Sequence, residues 1–275
     1  MAGIAIVEPL RRGTLRPMND RIAAAAQGLL AARQENRIAL LDPEIAPRDL
    51  AEAYAVHRAF LELLSAAGGG PRIGWKVGFT NDAAQAKMGT TEPVLAGLLG
   101  QHSYVGEAEL KSPEGKGLGV EAELAVRLRS PLAGPVSRQE AAAAIEASAI
   151  AIEIVQKRGG PDEIGLPTLV ADGTLQYGSI FGPWNTTMDP MTIKECDVKL
   201  QVDGQTDGFM GATEVLGDPL NALTWLSAAS ERNGIELQAG DVILLGAIIP
   251  AQHLEPGQMA EVASDGLGDV RLWVD

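Results

Sequence analysis

The hydrophobic rhythm of the chain changes once, near residue 70. Before that point apolar positions recur at helical spacing. Ile22, Ala26, Leu29, Leu30 and Arg33 follow a cap at Asn19 or Asp20 and predict an amphipathic helix. Pro47, at a first-turn position, opens a second helix carried by Leu50, Tyr54, Val56, His57, Phe60, Leu61 and Leu64 and stopped by Gly68, Gly69, Gly70 and Pro71. This glycine-proline stretch divides the chain into a helical N-terminal subdomain, 1–70, and a β-rich domain, 71–275. From Ile73 onward short apolar runs alternate with Gly, Pro, Asp and Asn turns, the pattern of an irregular, mainly antiparallel sheet. Two helices interrupt it. A capping box at Ser137 and Glu140 opens one; Asp218 and Pro219 open the other, which ends at Asn233 and Gly234. Asp203–Gly204 and Asp265–Gly266 predict hairpin turns. The fold class is α+β.

Composition narrows the function. With 275 residues, 46% of them apolar, the chain has material for a large core, which excludes disorder as its main theme. No apolar run approaches the about 20 residues of a membrane span, and the first twelve residues lack the features of a secretory leader, so the expectation is a cytoplasmic protein. Twenty-two Lys and Arg against 36 Asp and Glu give a net charge of −14, which repels phosphate backbones and anionic lipid. The basic clusters Arg11, Arg12, Arg16 and Lys157, Arg158 are too short to form a nucleic-acid face. Neither nucleic acid nor membrane is expected as a partner. The single cysteine, Cys196, fits a reducing compartment and is read as a structural residue in a strand. His57, His102 and His253 lack metal-ligand spacing, so a soft zinc site is not expected. The glycine-rich segment 69–76 fails as a phosphate loop because Trp75 separates Gly74 from Lys76 and no Ser or Thr follows. Neither GxGxxG between strand and helix nor GxSxG occurs.

The candidate chemistry is carboxylate-based. Residues 119–128 alternate with period two, placing Val120, Ala122, Leu124, Val126 and Leu128 on one face and Glu121 and Glu123 on the other. Their Cα atoms would stand about 6.6 Å apart, close enough to converge on one cation, although such pairs are also common on the wet face of a sheet. Glu153 is set among aliphatic neighbours in residues 149–155, where an unpaired carboxylate is costly to bury. Three carboxylates without histidine or thiol describe a hard site suited to Mg²⁺ or Mn²⁺. Lys76, between glycines and aromatic residues, is either an exposed lysine on an edge strand or a desolvated amine available for proton transfer.

The segments GWKVGFT (74–80), MGTTEP (88–93), VEAEL (120–124), EIVQKR (153–158), VAD (170–172), LGDPLNA (216–222) and GDVILLG (240–246) occur in this order. Together, over about residues 20 to 272, the chain resembles the 2-oxopent-4-enoate hydratase and 4-oxalocrotonate decarboxylase family of the fumarylacetoacetate hydrolase superfamily. The resemblance implies a mixed, mainly antiparallel β-sandwich or roll with N-terminal and peripheral helices, assembled as a homo-oligomer, with residues 71–275 as the catalytic domain. It implies Glu121, Glu123 and Glu153 as ligands of Mg²⁺ or Mn²⁺, Lys76 as the catalytic lysine, and Arg158 and Asp172 as catalytic support. The substrate it implies is a small anionic 2-oxo or 2-hydroxydienoic acid. Hydration leads, with decarboxylation or C–C hydrolysis as alternatives on the same fold, and a non-catalytic, metal-dependent 2-oxo acid binder or partner subunit as the alternative of another class. Three positions depart from the family pattern: Val94, with Leu95 after it, stands where some hydratases carry aspartate, Leu175 where serine is expected, and Leu245 where threonine is expected. Assigned to the substrate pocket, these residues predict an apolar lining and a preference for longer substrates with apolar tails.

Overall fold

In the computed structural model, which describes residues 18–112, 117–206 and 208–275, two helices lead into two sheets. The first, α1 (Met18–Gln34), contains Asn19 and Asp20 within its first turn. The second, α2 (Leu50–Leu64), is capped by Asp49, whose side chain accepts the Glu52 N–H, so Pro47 precedes the cap instead of occupying the first turn. A buried ion pair of 3.2 Å between Arg21 and Glu52 ties the two helices together. After the bend at Ser65–Pro71 come β1 (Arg72–Gly78), α3 (Asp82–Met88), β2 (Val94–Leu99), β3 (Ser103–Val105), β4 (Glu107–Leu110) and β5 (Leu118–Leu128). The middle of the chain forms α4 (Arg138–Ala143), β6 (Ile145–Gln156), α5 (Pro161–Ile164), α6 (Leu166–Ala171) and β7 (Gln176–Phe181). It continues with β8 (Asp197–Val202), β9 (Phe209–Gly211), α7 (Pro219–Arg232), β10 (Val242–Leu254), β11 (Met259–Ser264) and β12 (Gly268–Val274).

A seven-stranded sheet runs β2-β1-β10-β5-β6-β7-β3, and a five-stranded sheet runs β4-β12-β11-β8-β9. Only the pairs β1/β10, β3/β7 and β4/β12 are parallel among the described residues. The larger sheet curls until β2 approaches β7, and β6 packs against β11 and β12 of the smaller one. On the outer face of the curl, Val120, Ala122, Leu124 and Val126 join Val198, Leu200, Val262 and Val270 in the main core. Ala25, Ala26 and Leu29 of α1 and Ala53, Val56 and Phe60 of α2 belong to that same core, so the helices before residue 70 have no core of their own. On the inner face Leu98, Ala125, Ala151, Phe181 and Leu244 form a second, smaller cluster.

The predicted punctuation is present. Ser137 and Glu140 form the capping box of α4, and Asp218 caps α7 ahead of Pro219. Asp203 and Gly204 take left-handed φ values of 49° and 79° in the turn between β8 and β9, and Asp265–Gly266 link β11 to β12. The β-rich part also contains α3, α5 and α6, three helices of seven, four and six residues, too short to show a periodicity. Cys196, free and buried, ends a tight turn just before β8 and does not lie within the strand. No helix among the described residues is long and apolar enough to cross a membrane. The first twelve residues, with Arg11 and Arg12, and Arg16 lie outside the described residues.

Candidate active site

Strands β5 and β6 run antiparallel in a register that sets Glu121 directly opposite Glu153 and Glu123 opposite Ala151. The two-residue repeat turns Glu121 and Glu123 to the inner face while their apolar neighbours fill the core. One oxygen from each of Glu121, Glu123 and Glu153 lies within 4.8 Å of the others. Glu123 and Glu153 are buried and Glu121 is partly so. Strand β1 supplies Lys76 from between β2 and β10, an interior position and not an edge. Its register neighbours are Ala96 and Leu244, and its Nζ lies 2.8 Å from Glu153 Oε1 and donates to the Thr174 carbonyl at 3.2 Å. A bulge in β10 between Leu244 and Ala247 brings the Gly246 N–H to Glu123 Oε2 at 2.9 Å. Gly246 has φ +117°, and a Cβ there would meet Thr80 at 2.5 Å, so a side chain at this position would push the loops apart.

Three carboxylates share this space with one ammonium group. Burial, then the charge of Glu153, pushes Glu121 up to about 7. Burial, then Glu153 and Glu121, raises Glu123 well above the carboxylate range. For Lys76, burial favours the neutral amine, but the attraction of Glu153, Glu121 and Glu123 outweighs it and raises the lysine above its ordinary value. Neither Glu153 oxygen accepts an aligned hydrogen bond, a costly state for a buried carboxylate. A cation held among the three carboxylates would supply that partner. An all-oxygen donor set, two negative charges in excess of the ammonium once all three glutamates ionise, fits Mg²⁺ or Mn²⁺ and does not suit a soft metal.

Arg158 and Asp172 meet in a buried ion pair of 2.7 Å behind this site. Arg158 also donates to Gln156 Oε1 at 3.3 Å and the Gln176 carbonyl at 3.1 Å. The pair therefore anchors the loop 172–175, whose Thr174 carbonyl receives Lys76. Val94, fully buried and also a member of the main core, lies near the lysine: a Cβ placed on Gly78 would lie 3.4 Å from Val94, 3.6 Å from Thr174 and 3.7 Å from Lys76 Nζ. Leu175 is half-buried on the same loop. Two expectations fail. Leu95 pairs with Val77, not Lys76, so strand alternation turns it to the outer face and the main core. Leu245 likewise joins Ile243 in that core, and the neighbouring backbone at Gly246 reaches the carboxylates instead.

The structure adds residues that the sequence did not indicate. Phe79, Thr174, Leu175 and Leu216 have φ values of 58°, 54°, 67° and 49°, and only Asn36 and Asp203 share this left-handed state among the other described non-glycine residues. These strained positions gather on the loops around the carboxylates, where the Leu216 N–H donates to the Thr80 carbonyl at 2.9 Å. The hydroxyls of Thr174 and Ser179 are buried without a partner, and Ser179 stands opposite Glu153 in the β6–β7 ladder. His57 accepts the Gly97 N–H on Nε2 at 2.9 Å, so its Nδ1 carries the proton donated to the Ala171 carbonyl at 3.1 Å. Burial holds this ring neutral, with its pKa lowered to about 4.

Comparison with known proteins bears on the family and the fold. The profile described as fumarylacetoacetate (FAA) hydrolase C-terminal matches residues 73–275. The chain is 33% identical over 261 residues to 2-keto-4-pentenoate hydratase 2 of Dechloromonas aromatica, covering 90% of this chain and 95% of that protein. It is 31% identical over 204 residues to a Pseudomonas 4-oxalocrotonate decarboxylase, covering 74% of this chain and 78% of that protein. Among solved structures, the 4-oxalocrotonate decarboxylase of Pseudomonas putida G7, complexed with magnesium and adipate, shares the fold with a TM-score of 0.85 at 23% identity, covering 95% of this chain and all of that one.

Proposed function

The chain belongs to the fumarylacetoacetate (FAA) hydrolase family, and from that premise we propose that it is a divalent-metal-dependent hydratase of a short 2-hydroxydienoate or 2-oxo-alkenoate. The observation that carries this reading is the convergence of Glu121, Glu123 and Glu153 on one point with Lys76 beside them. Glu121, Glu123 and Glu153 would hold Mg²⁺ or Mn²⁺, which supplies positive charge to the carboxylate and 2-oxo oxygens of the substrate. That charge also offsets the repulsion between an anionic acid and a chain of net charge −14.

The chain's own residues do the rest. Lys76 Nζ is held by Glu153 and the Thr174 carbonyl and moves the proton as dienol becomes ketone. In that step the enol hydroxyl loses a proton and the terminal carbon gains one. Water then adds its hydroxyl at C4 and its remaining proton at C3. The Gly246 N–H fixes Glu123, and Arg158 with Asp172 fixes the loop that holds Lys76. Val94 and Leu175 border the space left for the substrate.

The test is a purified sample with Mg²⁺ and 2-hydroxypenta-2,4-dienoate: the dienoate is consumed and 4-hydroxy-2-oxopentanoate is formed. The similarity to 4-oxalocrotonate decarboxylases favours a second reading, which release of carbon dioxide from 4-oxalocrotonate would establish. Binding without turnover of either acid would leave a 2-oxo acid binder. A homo-oligomer belongs to the same proposal, supported by Val105 and Phe209, 75% and 60% exposed on strands at the two sheet edges, and light scattering measures it. A cytoplasmic setting is supported by the free, buried Cys196.

A further inference from the structure

Thr174 combines three features that its neighbours do not share. At φ +54° it is a β-branched residue in a left-handed conformation, which such residues occupy only when the surroundings impose it. Its carbonyl receives the proton donated by Lys76 Nζ at 3.2 Å. Its hydroxyl is buried, in a residue 4% exposed, and bonds to nothing. Ser179, fully buried opposite Glu153, carries a second hydroxyl in the same state. The two residues flank the Lys76–Glu153 ion pair, one through the loop and one through the β6–β7 ladder.

Folded proteins leave few buried polar groups unpaired, and each hydroxyl here can both donate and accept. An oxygen-rich ligand answers that need, whereas a cation would use only the acceptor side. We propose that Thr174, with Ser179 beside it, recognises substrate: their hydroxyls bond to oxygens of the 2-oxo acid and supply the polar contacts that Val94 and Leu175 do not. The proposal rests on the function argued above and deepens it. The favoured substrate is a small acid with oxygens along its length, not one with a long apolar tail.

The decisive variant is Thr174→Val, which keeps the β-branched shape and the strained backbone and removes only the hydroxyl. Two measurements are made: thermal stability of the metal-free protein, and calorimetric affinity for 4-hydroxy-2-oxopentanoate in the presence of Mg²⁺. The expected result is stability unchanged or raised, because no internal hydrogen bond is lost, together with an affinity about tenfold weaker. Thr174→Ser restores the affinity, and Ser179→Ala shows the same pattern with a smaller loss. Lowered stability in Thr174→Val would reveal a partner inside the chain and overturn the proposal. So would an unchanged affinity when the wild type binds. A wild type that binds no 2-oxo acid refutes the parent function, and this assignment with it.

Discussion

The loop from Asp172 to Leu175 separates two buried clusters of opposite charge. Behind it Arg33 and Arg158 face the single carboxylate of Asp172; in front of it Lys76 faces Glu121, Glu123 and Glu153. The rear cluster disposes of its excess charge on backbone carbonyls. Gln176 O accepts from Arg33 at 3.0 Å and from Arg158 at 3.1 Å, and Asp172 O accepts from Arg158 at 3.3 Å. The front cluster has a backbone donor at Glu123, the Gly246 N–H, but both Glu153 oxygens lack an aligned donor. Charges supplied with fixed partners build architecture, and charges short of partners leave a site that a ligand completes. The loop between them transmits the rigidity of the first to the lysine of the second.

The front cluster should fail in function when broken and the rear cluster in stability. Glu153→Gln removes the carboxylate that pairs with Lys76 and that, in the proposed function, completes the metal set. Turnover should fall by about 10³-fold or more, the equivalent of several kcal/mol of charge stabilisation, and metal affinity should fall with it. Stability of the metal-free protein should stay close to the wild type, since one surplus buried negative charge is removed. Intact metal affinity and turnover in this variant would place the metal elsewhere.

Arg158→Met makes the opposite cut. It takes the ion-pair partner from the buried Asp172 carboxylate, leaving only the more distant Arg33, and releases three hydrogen-bonded acceptors, for a loss of about 3–5 kcal/mol read by chemical denaturation. A loss below about 1 kcal/mol, the scale of a surface pair, would show that the rear cluster does not hold the loop. Lys76→Met then separates chemistry from metal binding within the front cluster. It should lower kcat by about 10²-fold while metal affinity stays nearly intact, and an unchanged kcat would reduce Lys76 to a structural counter-ion.

The front cluster could be read from the sequence because its signal is local. Glu121 and Glu123 alternate with apolar residues over an 11-residue strand, and Glu153 interrupts an apolar strand of 12. Period two assigns faces without knowledge of the partner strand. What failed depended on partners. The face of β2 that looks inward is set by its register with β1, so Leu95 was assigned to the wrong side; a bulge in β10 separates the side chain of Leu245 from the backbone that reaches the site. The start of α2 follows the geometry of Asp49, which Pro47 only foreshadows. The unpaired hydroxyls of Thr174 and Ser179 and the fixed tautomer of His57 are properties of hydrogen-bond completion in three dimensions, and a serine in a strand or a histidine in a helix carries no mark of it.

His57 sharpens the comparison because protonating it would load the rear side with charge without touching a carboxylate of the front. Its Nε2 must accept the Gly97 N–H while its Nδ1 donates to Ala171, next to Asp172, and a protonated ring cannot accept. The folded pKa of about 4 lies below the ordinary histidine value of 6.5. The stability tied to the neutral ring is therefore fully present above pH 6.5 and is lost as pH falls toward 4. Between pH 7.5 and pH 5 this amounts to about 2 kcal/mol. Carboxylates begin to titrate in the same range, so the informative quantity is the difference between wild type and His57→Gln, which keeps a neutral donor and acceptor. The variant should lose less stability on acidification by about that amount, in denaturation curves at the two pH values. Parallel losses in the two proteins would mean that the ring is already free to take up a proton and does not lock the end of α6 from which the loop departs.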